Sequence, residues 1–153
     1  MRNYERTAAL VKRVDVTISS AQLLALNATP RSLVAAPGSG LYLVFDGAII
    51  HKPAGTAYGG IAGGEDLSIK YTDASGLEVG VCEATGFLDQ ATAQVRYVYP
   101  SLATATGGAG INTAITPVAN AALVLHLLTG EIITGTSPLY VRAYYKVITL
   151  PSA

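Results

Sequence analysis

Two neighbouring stretches in the last third of the chain restrict its fold more than any other feature. Ala121-Ala-Leu-Val-Leu-His-Leu-Leu128 is apolar on both faces. From Leu139 to Leu150 the pattern alternates, with Leu139, Val141, Ala143, Tyr145 and Val147 on one side and Tyr140, Arg142, Tyr144, Lys146 and Ile148 on the other. Successive side chains of a strand point to opposite faces, so the first stretch reads as a buried strand and the second as an amphipathic one.

The rest of the chain repeats that theme in shorter pieces. Val14, Val16 and Ile18 alternate with Arg13, Asp15 and Thr17. Ser19-Ser20 then offers an N-cap to a turn or two of helix over 21–26, which Asn27 and Pro30 close. Further strand signals fall at 31–35, 41–50, 67–71, 78–84 and 93–99, with Gly47 marking a bulge in the longest of them. Pro37-Gly-Ser-Gly40 reads as a tight turn, and residues 101–117 read as a long Ala/Gly/Thr-rich loop. Eight or nine short strands and one brief helix predict an all-β chain, a β-sandwich or jelly roll. Its 153 residues suffice for one domain, expected over 10–150, with residues 1–9 as an extended N-terminal arm. A core of this size needs no disulfide or metal to hold it.

Charge is scarce: 13% of residues are ionisable acids or bases, the net charge is zero, and half the residues are hydrophobic. A surface of this kind is poorly protected against association, which points to an oligomer or a component of a larger particle. Basic residues lead near the start (Arg2, Arg6, Lys12, Arg13), and six acids lie between 65 and 89 against one base, Lys70. Such a bipolar chain could meet the opposite sign on a neighbour, or the charges could be solvated strand edges and loops. No basic stripe of a nucleic-acid binder is present, and no apolar run reaches the length of a membrane span. Residues 1–9 contain no apolar leader segment, so the expected compartment is the cytoplasm.

Reactive side chains do not converge on a recognisable chemistry. His126 lies inside the apolar strand and reads as a satisfied core histidine; His51 follows a strand end, where Asp46 could pair with it. No nucleophile elbow, P-loop or dinucleotide fingerprint occurs, and the Gly-rich stretches read as flexible or bulged β connections. Two distant histidines and Cys82 do not make a zinc site; Glu65, Asp66 and Asp73 lack the spacing of a calcium loop. Cys82 itself, in Val79-Gly-Val-Cys82, reads as a small buried hydrophobe. Paired carboxylates could still meet across a sheet, but the chain has no Trp to form a sugar platform. The expectation is a protein without catalytic residues, cofactor or metal. Its tyrosines are the more distinctive feature: Tyr97, Tyr99, Tyr140 and Tyr144 fall in two strands and suit a subunit interface or the rim of a sheet.

Three segments carry a resemblance: Val16 to Gly40 with its Leu-Asn-Ala-Thr-Pro and Ala-Ala-Pro-Gly pieces, Ala57 to Asp73, and Leu128 to Tyr145. Together they resemble small virion proteins of tailed bacteriophages, some of them similar to head decoration (cement) proteins. The resemblance implies a β-sandwich that sits as a homotrimer on the capsid surface and clamps adjacent major capsid subunits, with no catalytic residues to carry over. On that reading the arm carrying Arg2, Tyr4 and Arg6 binds the capsid, the protein is assembled in the host cytoplasm, and its location is the virion. The alternative is a tail-tip or fibre-associated module that contacts a host glycan or receptor through the Gly-rich loops at 55–64 and 101–117. A glycan hydrolase using the acids between 65 and 89 is a third and weaker reading.

Overall fold

Rolling a long antiparallel ribbon into two layers pairs the first strand with the last, the second with the second-last, and so inward. That is the order found in the computed structural model, which describes residues 10–100, 118–130 and 132–150. The elements are β1 (Lys12–Ile18), α1 (Ser20–Leu24), β2 (Arg31–Val34), β3 (Tyr42–Lys52), β4 (Asp66–Tyr71), β5 (Glu78–Glu83), β6 (Gln94–Val98), β7 (Leu123–Leu127) and β8 (Leu139–Ile148). One four-stranded sheet runs β1-β8-β3-β6 and the other β2-β7-β4-β5, with every ladder antiparallel. This is a jelly-roll order.

The period-two pattern sets which side chains enter the core. In β8, Leu139, Val141 and Ala143 are buried, and Tyr145 and Val147 pack on the same core. β3 contributes Leu43, Phe45, Ala48 and Ile50. The break between Phe45 and Ala48 is a bulge: the pairing with β8 shifts between Phe45 and Gly47, where φ is +134°. A β-branched or bulky residue would be strained there, and the extra residue lets Asp46 turn outward without reversing the rest of the strand. From the facing sheet come Leu123, Leu125, Leu127, Leu67 and Ile69, each at most 1% exposed. Burying one such leucine contributes roughly 1.5–3 kcal/mol. As the sequence implies, all five residues of β7 are buried.

The short helix closes the β1/β2 end. Ser19 accepts from the Gln22 amide while the Gln22 side chain accepts from the Ser19 amide, a capping box at 3.2 and 3.0 Å. The helical stretch and the turn after it bury Leu23 and Leu26 completely. Asn27 then ties that turn to β7, donating from Nδ2 to the Leu127 carbonyl at 2.9 Å.

Two irregular segments are held with equal care. Residues 55–59 and 133–137 zip together: the Thr56 amide donates to Thr136 Oγ1 (3.2 Å), the Gly59 amide to Thr134 Oγ1 (2.8 Å), and the Ile133 amide to the Gly59 carbonyl (3.0 Å). The buried Tyr58 hydroxyl donates to the Ser137 carbonyl, and its burial pushes the phenol up to about 12. Gly135, at φ +121°, lies directly against the Tyr58 ring, where an added Cβ would overlap it. The expectation of flexible connections is therefore corrected for this part of the chain: its glycines allow close packing.

Lys52, the last residue of β3, is fully buried. Its ammonium donates to the carbonyls of Gln90 (2.7 Å), Thr92 (3.2 Å) and Pro53 (3.3 Å), which matches its three protons to three acceptors. Burial pulls its pKa below the ordinary lysine value, and Asp89 works against that shift. Lys52→Ala leaves three carbonyls without their donor and is expected to cost about 3 kcal/mol in urea unfolding. Gly135→Ala is expected to cost about 2 kcal/mol by the same measurement, through overpacking against Tyr58 at a left-handed backbone position.

Candidate functional site

The outer face of the β1-β8-β3-β6 sheet collects the residues that the inward pattern excludes. Ladder register arranges them in rows across the strands. One row is Thr17, Tyr140, His51 and Val95; the next is Asp15, Arg142, Ile49 and Tyr97; a third begins Arg13, Tyr144 and Gly47. Tyr144 thus stands opposite the bulged glycine, where its ring can cover the missing side chain. Tyr99 follows β6 on the same outward parity and is 75% exposed. The four tyrosines singled out from the sequence therefore share one face, in two groups. Tyr140 and Tyr144 lie on the central strand β8, Tyr97 and Tyr99 lie on or just beyond the edge strand β6, and β3 runs between them.

Charge and apolar surface separate across this face. On the β1/β8 side Arg142 holds Asp15 in a two-pronged contact, Nε to Oδ1 at 2.7 Å and Nη2 to Oδ2 at 3.2 Å, with Arg13 3.8 Å from the same carboxylate. The Arg142 hydrogen bond holds the Asp15 carboxyl below its ordinary value and raises the guanidinium in turn. Lys146 pairs with Asp46 at 2.7 Å. Towards β6 the face becomes Ile49, Val95, Tyr97 and Tyr99. Between the two halves the rings of His51 and Tyr140 stack at 5.9 Å and 23°. The stack and the Asp15–Arg142 pair flank a shallow depression of about 410 Å³.

This arrangement corrects the reading of His51 and Asp46. His51 does not follow a strand end but lies within β3, stacked on Tyr140, and Asp46 is taken by Lys146. The bulge at Asp46–Gly47 is the reason, since it offsets Asp46 from the outward parity of Ile49 and His51. Asp15, Ile49, His51 and Arg142 were not singled out from the sequence as parts of a surface. Their outward parity in β1, β3 and β8 is the signal that could have found them.

The remaining candidates fall elsewhere. Arg2, Tyr4 and Arg6, and the loop 101–117, lie outside the described residues. Glu65 is buried and accepts from the Thr129 amide (2.6 Å) and hydroxyl (2.9 Å); Glu78 accepts from Ser68; Asp73 accepts from the Ser75 amide (2.8 Å). These three acids of the 65–89 stretch thus serve as staples of strands and turns. Asp66 and Glu83 face one another across β4 and β5, and burial with three neighbouring carboxylates (Glu78, Glu83 and Glu65) raises Asp66 above its ordinary value. Cys82 packs against the core, and burial pushes its thiol up to about 12, so it is not a thiolate at neutral pH. Among the described residues no group of three or more His, Cys, Asp or Glu could hold a metal ion, and no helix is long and apolar enough to cross a membrane.

His126 is only half satisfied. Its Nε2 lies 3.0 Å from the Asn27 carbonyl, which can only accept, so Nε2 carries the proton. Nδ1 has no partner among the described residues although the side chain is 95% buried. Burial, then Lys70, lowers its pKa below 6.5, while the Asn27 contact and Glu65 oppose the shift. The unfolded chain binds a proton here more readily than the folded one, so this residue's stabilising contribution is complete above about pH 6.5 and is lost as the pH falls below it. The urea midpoint is expected to drop between pH 7 and pH 5.5, within the range where histidine titrates. The drop is expected to be smaller in His126→Gln, which measurement of both chains at each pH checks.

No family model, no curated protein and no solved structure matches this chain.

Proposed function

We propose that this chain is a non-enzymatic structural protein of a tailed-phage virion. It would decorate the outer head surface and stabilise contacts between major capsid subunits. The observation that carries the reading is the outer face of the β1-β8-β3-β6 sheet, where Tyr140 and Tyr144 stand among paired charges on one side and exposed apolar residues on the other. Tyrosine and arginine in an apolar setting are the residues that carry binding energy at protein interfaces. A rigid sheet presents them at fixed spacing with little ordering cost on docking. On this reading Arg2, Tyr4 and Arg6, in residues 1–9, add to the binding of the capsid. The link to a capsid rests on the resemblance of the three sequence segments. The jelly-roll order is compatible with it, since viral coat domains share that order, but so do lectin domains and other proteins.

A second reading is favoured by the depression between the His51–Tyr140 stack and the Asp15–Arg142 pair. An aromatic wall beside fixed polar groups suits a host glycan, as a tail-tip or fibre-associated module would need. Of the Gly-rich loops that this reading uses, residues 55–59 are engaged in internal packing while Gly63 and Gly64 have open space beside them. The depression therefore adds a contact to the loop 55–64 without replacing it.

Co-sedimentation with expanded, undecorated capsids tests the proposal. Saturable binding is expected, weakened at least about tenfold by Tyr140→Ala together with Tyr144→Ala, the effect of removing interface anchors. Deleting residues 1–9 is expected to weaken it as well. Absence of binding to heads, with retention on host envelope glycans, would establish the second reading instead.

A further inference from the structure

Each layer of the sandwich has two edge strands, and an edge strand offers unpaired amides and carbonyls to any other strand unless something blocks it. Three of the four edges carry a block. β1 presents the exposed Lys12, Arg13 and Asp15. β2 is four residues long, and its register shifts between Ser32 and Val34. β5 carries Glu78 and Glu83 at its ends, is shifted in register against β4, and is bridged to the other sheet at Gly80↔Pro100.

β6 carries none of these. Its outward side chains are Val95, 45% exposed, and Tyr97, 63% exposed. Its one charged residue, Arg96, is held locally: the guanidinium lies 5.0 Å over the Phe87 ring, donates to the Gly86 carbonyl at 2.6 Å, and makes a longer contact with the Val95 carbonyl at 3.3 Å. Among the described residues, the β6 backbone has no backbone partner beyond its ladder with β3. Three exposed large hydrophobic side chains (Val95, Tyr97 and Tyr99) thus stand on or beside the edge that, among the described residues, carries no block.

We infer that β6 pairs with β6 of a second copy, antiparallel about a two-fold axis, to join two four-stranded sheets into one of eight. A strand that fits this edge must itself be unguarded, about five residues long, and aromatic or β-branched at alternate positions; β6 meets that description. Full overlap of Gln94–Val98 sets Val95 opposite Tyr97 of the second copy on both sides of the axis, a favourable β-branched–aromatic pair. Arg96 falls opposite Arg96, but both guanidinium heads are drawn off to Phe87 and Gly86. The bridge at Pro100 ties the following residue to the opposite sheet and ends the pairing there. With zero net charge, no long-range repulsion opposes the approach of two copies. The pairing does not depend on the capsid reading, and being two-fold it departs from the three-fold assembly that the resemblance implies.

Sedimentation equilibrium of the full chain tests this. A monomer–dimer equilibrium is expected. Val95→Lys and Tyr97→Lys are each expected to raise its dissociation constant at least about tenfold, the loss of one interface anchor, with unchanged circular dichroism and melting midpoint. Tyr140→Lys, on the same face but away from the edge, is expected to leave the dimer intact. A wild-type chain that is monomeric or trimeric overturns the inference. So does a dimer that survives both edge substitutions, or one that Tyr140→Lys disrupts equally.

Discussion

Everything on the outer sheet depends on the ladder between β3 and β8. These are the two longest strands, and they are paired from Tyr42↔Ile148 to His51↔Tyr140 with one bulge in the middle. The ladder fixes parity. A slip of one residue would carry Leu139, Val141 and Ala143 to solvent and send Tyr140, Arg142 and Tyr144 into the core. The core is what forbids that slip, so the same burial that stabilises the sandwich also specifies its tyrosine face. β1 and β6 then attach to either side of this central pair in registers that keep Val16 and Val98 turned inward.

The strand pattern was largely readable from the chain, and for a physical reason. Burial acts on alternate residues, so Val14-Val16-Ile18 and Leu139 through Val147 announce both their conformation and their inner face. The doubly apolar β7 was legible in the same way, since a strand covered on both sides has no reason to alternate. The Ser19 cap and the Gly47 bulge were local signals with local causes. What could not be read was which strands become neighbours. Tyr97 and Tyr140 are far apart in sequence, and only the rolled pairing brings them to one surface. His51 was misplaced because β3 runs two residues beyond its apolar run, ending on a lysine whose burial no composition rule suggests. Lys52 is tolerated only because the carbonyls of its neighbour Pro53 and of Gln90 and Thr92, in one segment distant in sequence, converge on it.

The glycines teach a related lesson. Gly55, Gly59 and Gly135 sit in stretches that look unstructured by composition, yet each lies within contact distance of a Ser, Thr or Tyr side chain of the facing segment. Gly80 does the same between the layers, where an added Cβ would come within 2.7 Å of Phe45 and 2.9 Å of Val98. Absence of a side chain is here a packing choice. It allows backbone to approach side chain at points where the two layers and their connections draw together, and sequence alone does not separate that use from flexibility.

The pairing of first strand with last has a temporal side. β8 occupies an interior position of its sheet, yet among the described strands it is the last to be synthesised. Until it emerges, β1 and β3 have no shared neighbour, and the tyrosine face has no frame to stand on. The β4–β5 and β3–β6 ladders can close earlier, but the ladder of β1 must wait for β8, since Lys12 and its counterpart Tyr145 are far apart in sequence. Long-range closure of this kind slows folding relative to chains built from local contacts. During that interval the unguarded apolar strands are open to wrong partners, so the sparse charge that favours assembly in the finished molecule is a hazard to the nascent one.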